Sequence, residues 1–379
     1  MRPGLLLAAM VLTAGCSGGS DDDPGSPGSG PGSVTPEENQ TPISFTALQD
    51  EKQDVTRAGL SVPGATRAAK PLEEDAGVTT FKVWGYKNTS YVDETYSFGS
   101  EQKVFPGFTV KYTPSSANTT TTNSDGWEYV GLDGAGDQTI KYWDFGAKAY
   151  RFFGVAPATA GITPHEDHEN HVMKITFQAD ATAPESCPYY SRLWFSDGNP
   201  IVYPTRQFGE AVQLEFLKPF ATVTFKFIPA DDTVNLNDLS LENFSFAPFI
   251  DGNKIATAGN FTVIYPLTSE NEIGTKESYD VDVTDGTSIS AFDRPGIEYK
   301  VLPVPVDMGV AFKLLVTVNG NEKEVYVPAK YMEWRPLFNY TYIFKVNEEG
   351  GVELGQVTAA YTAWEPGSAE DKDRPVFNW

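Results

Sequence analysis

Thr80-Phe81-Lys82-Val83-Trp84-Gly85-Tyr86 is the stretch that decides the fold. Side chains alternate along an extended chain, so Phe81, Val83 and Gly85 share one side while Lys82, Trp84 and Tyr86 share the other. Aromatic and β-branched residues of this kind suit a pleated, half-buried surface. Runs of similar length and composition recur at 43–48, 149–155, 172–177, 212–216, 221–228, 261–265, 278–283, 299–304, 312–318, 324–327, 340–346 and 357–363. Gly, Pro, Asn and Asp punctuate them, and with 27 Pro and 34 Gly no apolar helical stripe survives. Short strands at regular spacing predict an all-β antiparallel sandwich.

Working outward, Asp197-Gly198-Asn199-Pro200 and Tyr203-Pro204 interrupt the series, so a domain boundary is expected near Thr205, giving domains over 41–204 and 205–379. An internal echo points the same way. Lys141-Tyr142-Trp143-Asp144-Phe145 leads into Tyr150-Arg151-Phe152, and Lys330-Tyr331-Met332-Glu333-Trp334 leads into Tyr340-Thr341-Tyr342.

The start of the sequence sets the expected compartment. Arg2 precedes an apolar run at 5–12, and Thr13-Ala14-Gly15 stands directly before Cys16, which is the pattern of a secretory signal over 1–15 ending in a lipobox. Eight residues of helix span about 12 Å, too little for a hydrocarbon core of about 30 Å. Cys16 is therefore the expected site of lipidation (palmitate), and 16–40, rich in Gly, Ser, Pro and Asp, is a flexible tether. Ser17 followed by Asp21-Asp22-Asp23 resembles the export signals of surface lipoproteins of Gram-negative bacteria, so the outer-membrane surface is the expected location. With Cys16 acylated, Cys187 has no partner in the chain, and no disulfide framework is expected. The 28 basic and 51 acidic residues give a net charge of -23, a field that repels nucleic acid.

Little in the sequence carries chemistry. His165, His168 and His171 interleave with Glu166, Asp167 and Glu169. They form weak candidates for Zn or Ni, against the preferred reading of a Pro-initiated polar surface loop. Because all three histidines share that stretch and GxSxG is absent, no nucleophile–base pair is readable, and no cofactor or enzymatic activity is expected. Cys187 is expected to be an inert, partly buried thiol. Tyr189, Tyr190, Trp194 and Phe195 suit a sandwich core, or, if exposed, stacking on sugars or a partner protein.

Several ordered features resemble the fimbrillin family, the Mfa-like lipoproteins that build type V pili. They are Ile43-Ser44-Phe45, the pairs Thr56-Arg57 and Thr66-Arg67, the 81–86 strand, the block from Tyr142-Trp143 to Pro157, Leu217 to Phe225, and Trp334 with Asn339-Tyr340-Thr341-Tyr342. Lys218-Pro219, where the family more often carries His, reads as a surface detail. The resemblance implies two tandem transthyretin-like β-sandwich domains and a fimbrial subunit, structural or adhesive, whose partners are other fimbrial subunits. It also implies assembly by strand exchange, triggered by an Arg-directed protease. Arg57 and Arg67, with Gly59, Pro63 and Gly64 nearby, are the candidate processing sites. Cutting there would free the first strand, Ile43, Ser44, Phe45, Thr46, Ala47 and Leu48. The alternative is a surface lipoprotein that binds a glycan or host ligand through exposed aromatics.

Overall fold

The computed structural model describes residues 40–49, 70–75, 77–90, 101–113, 126–130, 132, 138–197, 208–248, 255–268, 277–287, 298–303, 312–332 and 334–361. Cys16, Arg57, Arg67, the tether up to residue 39, the expected boundary at 204–205 and the segment after Tyr361 lie outside them.

The chain is all-β, as the alternation predicts. Its strands are β1 (Phe45–Gln49), β2 (Lys70–Pro71), β3 (Thr80–Asn88), β4 (Glu101–Tyr112), β5 (Trp127–Glu128), β6 (Ala149–Ala156), β7 (Ile162–Asp167), β8 (Val172–Asp180), β9 (Tyr189–Ser191) and β10 (Trp194–Asp197). They continue as β11 (Val212–Leu217), β12 (Ala221–Pro229), β13 (Leu241–Pro248), β14 (Ile255–Pro266), β15 (Ser278–Thr287), β16 (Glu298–Val301), β17 (Phe312–Val318), β18 (Asn321–Val327), β19 (Phe338–Val346) and β20 (Val352–Tyr361). A four-residue helix, Leu72–Asp75, follows β2.

The largest sheet runs β2-β1-β11-β9-β6-β3-β4-β5, with β10 also on β6. Four strands separate β1 from β4, so in a flat sheet at about 4.8 Å per step their side chains would stand roughly 24 Å apart. The rings of Phe45 on β1 and Phe105 on β4 are instead 5.1 Å apart. The sheet must therefore curl until its two ends face each other, which makes the layers of a sandwich over one core of Phe45, Phe81, Phe105, Trp127, Phe152 and Phe216.

The outer face of the same sheet is apolar as well. Trp84 and Tyr86 of β3 and Phe153 and Val155 of β6 point away from that first core. This explains why all eight residues of β6 are buried. The sheet β15-β14-β8-β7 covers them with Ile175, Phe177, Phe261 and Tyr265, and the Phe153 and Tyr265 rings stack at 4.0 Å. A third core lies between β16-β12-β19-β20 and β13-β17-β18, with Val223, Phe246, Phe312, Trp334 and Tyr342 inside.

Two ladders depart from the antiparallel expectation. β1 runs parallel to β11 over five residue pairs, and β12 runs parallel to β19 from Thr222–Asn339 to Pro229–Val346. Strands that follow the expected boundary also return to strands that precede it. β11 pairs with β1 and β9, and β14 pairs with β8.

The internal echo has a physical counterpart, with Tyr150 and Tyr340 matched as the sequence suggests and the turn residues before them two positions out of the suggested register. Asp144, after Trp143, donates its backbone N–H to the hydroxyl of Tyr150 at 2.7 Å. Arg335, after Trp334, donates to the hydroxyl of Tyr340 at 2.9 Å. Both corners use a tyrosine early in the following strand to hold the turn that feeds it. Tyr150→Phe and Tyr340→Phe should each lower stability by about 1–2 kcal/mol, since a largely shielded donor loses its acceptor while the ring packing is kept. Urea denaturation with an unchanged slope is the check.

Candidate functional site

The first strand is built from a short segment with few ladder partners and deep side-chain anchors. Ile43, Phe45 and Ala47 are buried in the first core, while Thr46 and Leu48 are only half-buried. The backbone changes partner halfway. Ile43 donates to Lys141 at 2.8 Å and Trp143 donates to Thr41 at 3.0 Å, so Pro42 between them needs no N–H. From Phe45 onward the partner is β11, and Val212 donates to Ser44 at 2.8 Å. On the other side β2 pairs only with Leu48 and Gln49.

Tyr129 completes the seat. Its hydroxyl donates to the Ile43 carbonyl at 2.9 Å and accepts from the Lys141 N–H at 3.1 Å, and burial pushes the phenol well above its ordinary range. Around Phe45 stand four rings, Phe105 at 5.1 Å, Phe152 at 5.8 Å, Tyr129 at 6.0 Å and Phe81 at 6.3 Å, all near-perpendicular to it. Edge-to-face packing of this kind adds to simple burial. The segment that follows, 50–69, holds both Arg57 and Arg67. A cut anywhere in it would leave β1 attached to the rest of the fold by non-covalent contacts alone.

The histidine segment lies at the surface as expected from sequence, but as a strand and a tight turn and not as a loop throughout. His165 lies on β7, opposite Lys174, and His168 and His171 stand in the tight turn into β8. The cause is local. Asp167 accepts from the Asn170 N–H at 3.1 Å and from Asn170 Nδ2 and Lys174 Nζ, which closes the turn and holds its carboxyl below the ordinary range. Glu166 binds Lys103 at 2.7 Å and the Tyr86 hydroxyl. Burial acts to raise its carboxyl, but those two donors outweigh it and the net shift is downward. His171 Nδ1 lies 3.2 Å from Glu101, and His168 Nε2 lies 3.7 Å from Glu166. These contacts tie β7 and β8 to β3 and β4. Among the described residues no group of three or more His, Cys, Asp or Glu is placed to hold a metal ion.

Lys218 is a correction to the sequence reading, because it is buried, not a surface detail. It sits at the turn from β11 to β12 and donates to the carbonyls of Cys187 and Glu185, the latter at 3.3 Å, with its ammonium 4.0 Å from the Tyr189 ring centre. Burial lowers its pKa to about 8. Unfolded, Lys218 keeps its proton up to the ordinary 10.5; folded, it releases it above about 8. Between those values the unfolded state holds the extra proton, so the native state gains stability as pH rises. Relative to Lys218→Met, the wild-type protein should therefore become progressively more stable from pH 8 to pH 10, read by denaturant titration at each pH. Cys187 nearby is a buried thiol whose pKa is raised by that burial.

Of the aromatic residues considered for stacking on sugars, Tyr189 and Tyr190 are in the cores and Trp194 and Phe195 are half-buried, with Arg151 over the Phe195 ring. The exposed large rings among the described residues are Phe145 and Tyr326, at 51% and 60%, on different parts of the fold. Sequence reading missed both, since nothing in their spacing separates an exposed ring from a core one. No helix among the described residues is long and apolar enough to cross a membrane.

No family model matches the sequence, and no curated protein matches it. Solved structures do. The chain is similar to a "putative cell adhesion protein" from Bacteroides uniformis, at 12% identity over 86% of this chain and 99% of that one, with a TM-score of 0.33. A second from Bacteroides ovatus has 13% identity, 87% and 99% coverage and a TM-score of 0.36. A third from Parabacteroides distasonis has 11% identity, 87% and 99% coverage and a TM-score of 0.36. Likenesses at this identity and these scores carry no residue role over to this chain.

Proposed function

We propose that this protein is an adhesive or structural subunit of a type V-like fimbria on the cell surface. In this reading it is exported as a lipoprotein acylated at Cys16, tethered to the outer membrane through 16–40, and assembled with other fimbrial subunits by exchange of the first strand. No reaction chemistry is involved. The observation that supports the reading is the seat of β1. Its alternate side chains are deep in the core, its ladder on the β2 side covers two residues, and its covalent continuation is a 20-residue segment with two arginines. Loss of such a strand uncovers an apolar groove and unpaired backbone groups on β11, and a strand from another subunit would bury both.

The test is treatment of the precursor with an Arg-specific protease, with size followed by light scattering and the released fragment by mass spectrometry. Cleavage after Arg57 or Arg67 should release the fragment carrying 43–49, and addition of another fimbrial subunit should then yield oligomers that resist mild denaturant. A nicked chain that retains 43–49 and stays monomeric would refute strand exchange. Polysaccharide binding by that monomer would favour the glycan-binding alternative, through Phe145 or Tyr326.

A further inference from the structure

We propose that the β1 groove chooses its incoming strand by one aromatic side chain and one alanine, two positions apart. The inference rests on the strand-exchange reading and names the partner that reading requires. Three alternate positions of the resident strand are buried, and each has a different character. Ile43 is an aliphatic anchor whose carbonyl receives the Tyr129 hydroxyl. Phe45 is fully enclosed by four rings 5.1 to 6.3 Å away, set edge-on to it. Ala47 is 2% exposed and presents only a methyl to the same core.

An incoming strand in the same register runs parallel to β11, with its ring opposite Val212 and its small residue opposite Leu214. A smaller residue in the ring position leaves a cavity bounded by aromatic faces, and a larger one in the alanine position overpacks a dense core. The occupant is therefore an extended segment of a partner subunit with an aliphatic residue, Phe and Ala at alternate positions. Proline is tolerated immediately before the aliphatic one, because Pro42 makes no N–H bond in that place.

This pattern excludes one candidate read from the sequence, Pro375-Val376-Phe377-Asn378-Trp379 from a second copy of the chain. With Phe377 among the four rings, Trp379 falls on the alanine position. With Val376 in place of Ile43, Asn378 falls among the rings. With Trp379 among the rings, an indole must fit where a phenyl is already closely surrounded.

The test uses full-length precursor nicked by an Arg-specific protease and fluorescent peptides covering 41–49, in wild-type form and with Phe45→Ala or Ala47→Trp, together with a peptide covering 374–379. The wild-type peptide should exchange into the nicked protein. The two variants and the 374–379 peptide should compete at least about tenfold less well. Equal entry of all four peptides would overturn the selectivity while leaving strand exchange standing. Failure of the wild-type peptide to enter would overturn strand exchange itself, and the selectivity with it.

Discussion

Phe45→Ala is expected to lower stability by about 3–5 kcal/mol, the range for removal of a fully buried phenyl with partial collapse around it. The site is poorly able to collapse. Phe105, Phe152, Tyr129 and Phe81 each pack on other strands and against other rings, so none can move into the space without losing its own contacts. The loss should also be local before it is global. On one of its two edges β1 is paired only through two residues of β2, so amide hydrogen exchange at 45–49 should accelerate more than exchange in β3 or β6. A uniform acceleration across all three strands, or a loss below 1 kcal/mol, would show that the phenyl does not anchor β1.

Gly154→Ala should cost about 3 kcal/mol, at the upper end for overpacking by a single carbon. Gly154 lies in the middle of β6, opposite Val83 of β3. A Cβ there would stand 2.7 Å from the Lys82 backbone carbonyl and 3.3 Å from the Phe216 ring. A side chain could rotate away, but the carbonyl belongs to the neighbouring strand and moves only if the strand moves. Because β6 is buried on both faces, a shift of the ladder disturbs the first core and the second together. Thermal unfolding compared with Gly161→Ala, where nothing lies within 4 Å, separates this clash from a general glycine effect.

Strands whose alternation is uninterrupted were legible in the sequence. The 80–86, 149–155, 312–318 and 340–346 runs lie within β3, β6, β17 and β19. β4 was not legible, because Pro106 and Gly107 stand in its middle and read as a turn. The structure fits them by shifting register between Val83 and Trp84, with Gly107 at φ +91 beneath the Trp84 indole. β7 was hidden by its polar composition, since a strand of sequence ITPHED has no apolar face to announce it and is held by its neighbour β8. β13 is broken by a bulge between Glu242 and Ser245, which spoils a period-2 count. For the candidate site, sequence supplied the residues of the first strand but not its neighbours. Nothing in one sequence says that Phe45 meets Phe105 and Tyr129, which come from positions 60 and 84 residues away along the chain. Lys218 was misread for a related reason, because a lysine beside proline at a strand end is ordinarily solvated, and here the carbonyls of Cys187 and Glu185 and the Tyr189 ring receive its ammonium inside the fold.

The pairing of β14 with β8 imposes an order on biogenesis. Trp84, Tyr86, Phe153 and Val155 are synthesised long before Phe261, Val263 and Tyr265 arrive to cover them. Until then the first half presents a greasy, half-finished surface to its surroundings, together with β8 as an open edge. Contacts that close over such long sequence distances form slowly. A fragment ending at residue 204 should consequently be sticky and need escort by a holding chaperone, whereas the chain extended through Pro266 has the strand that seals it.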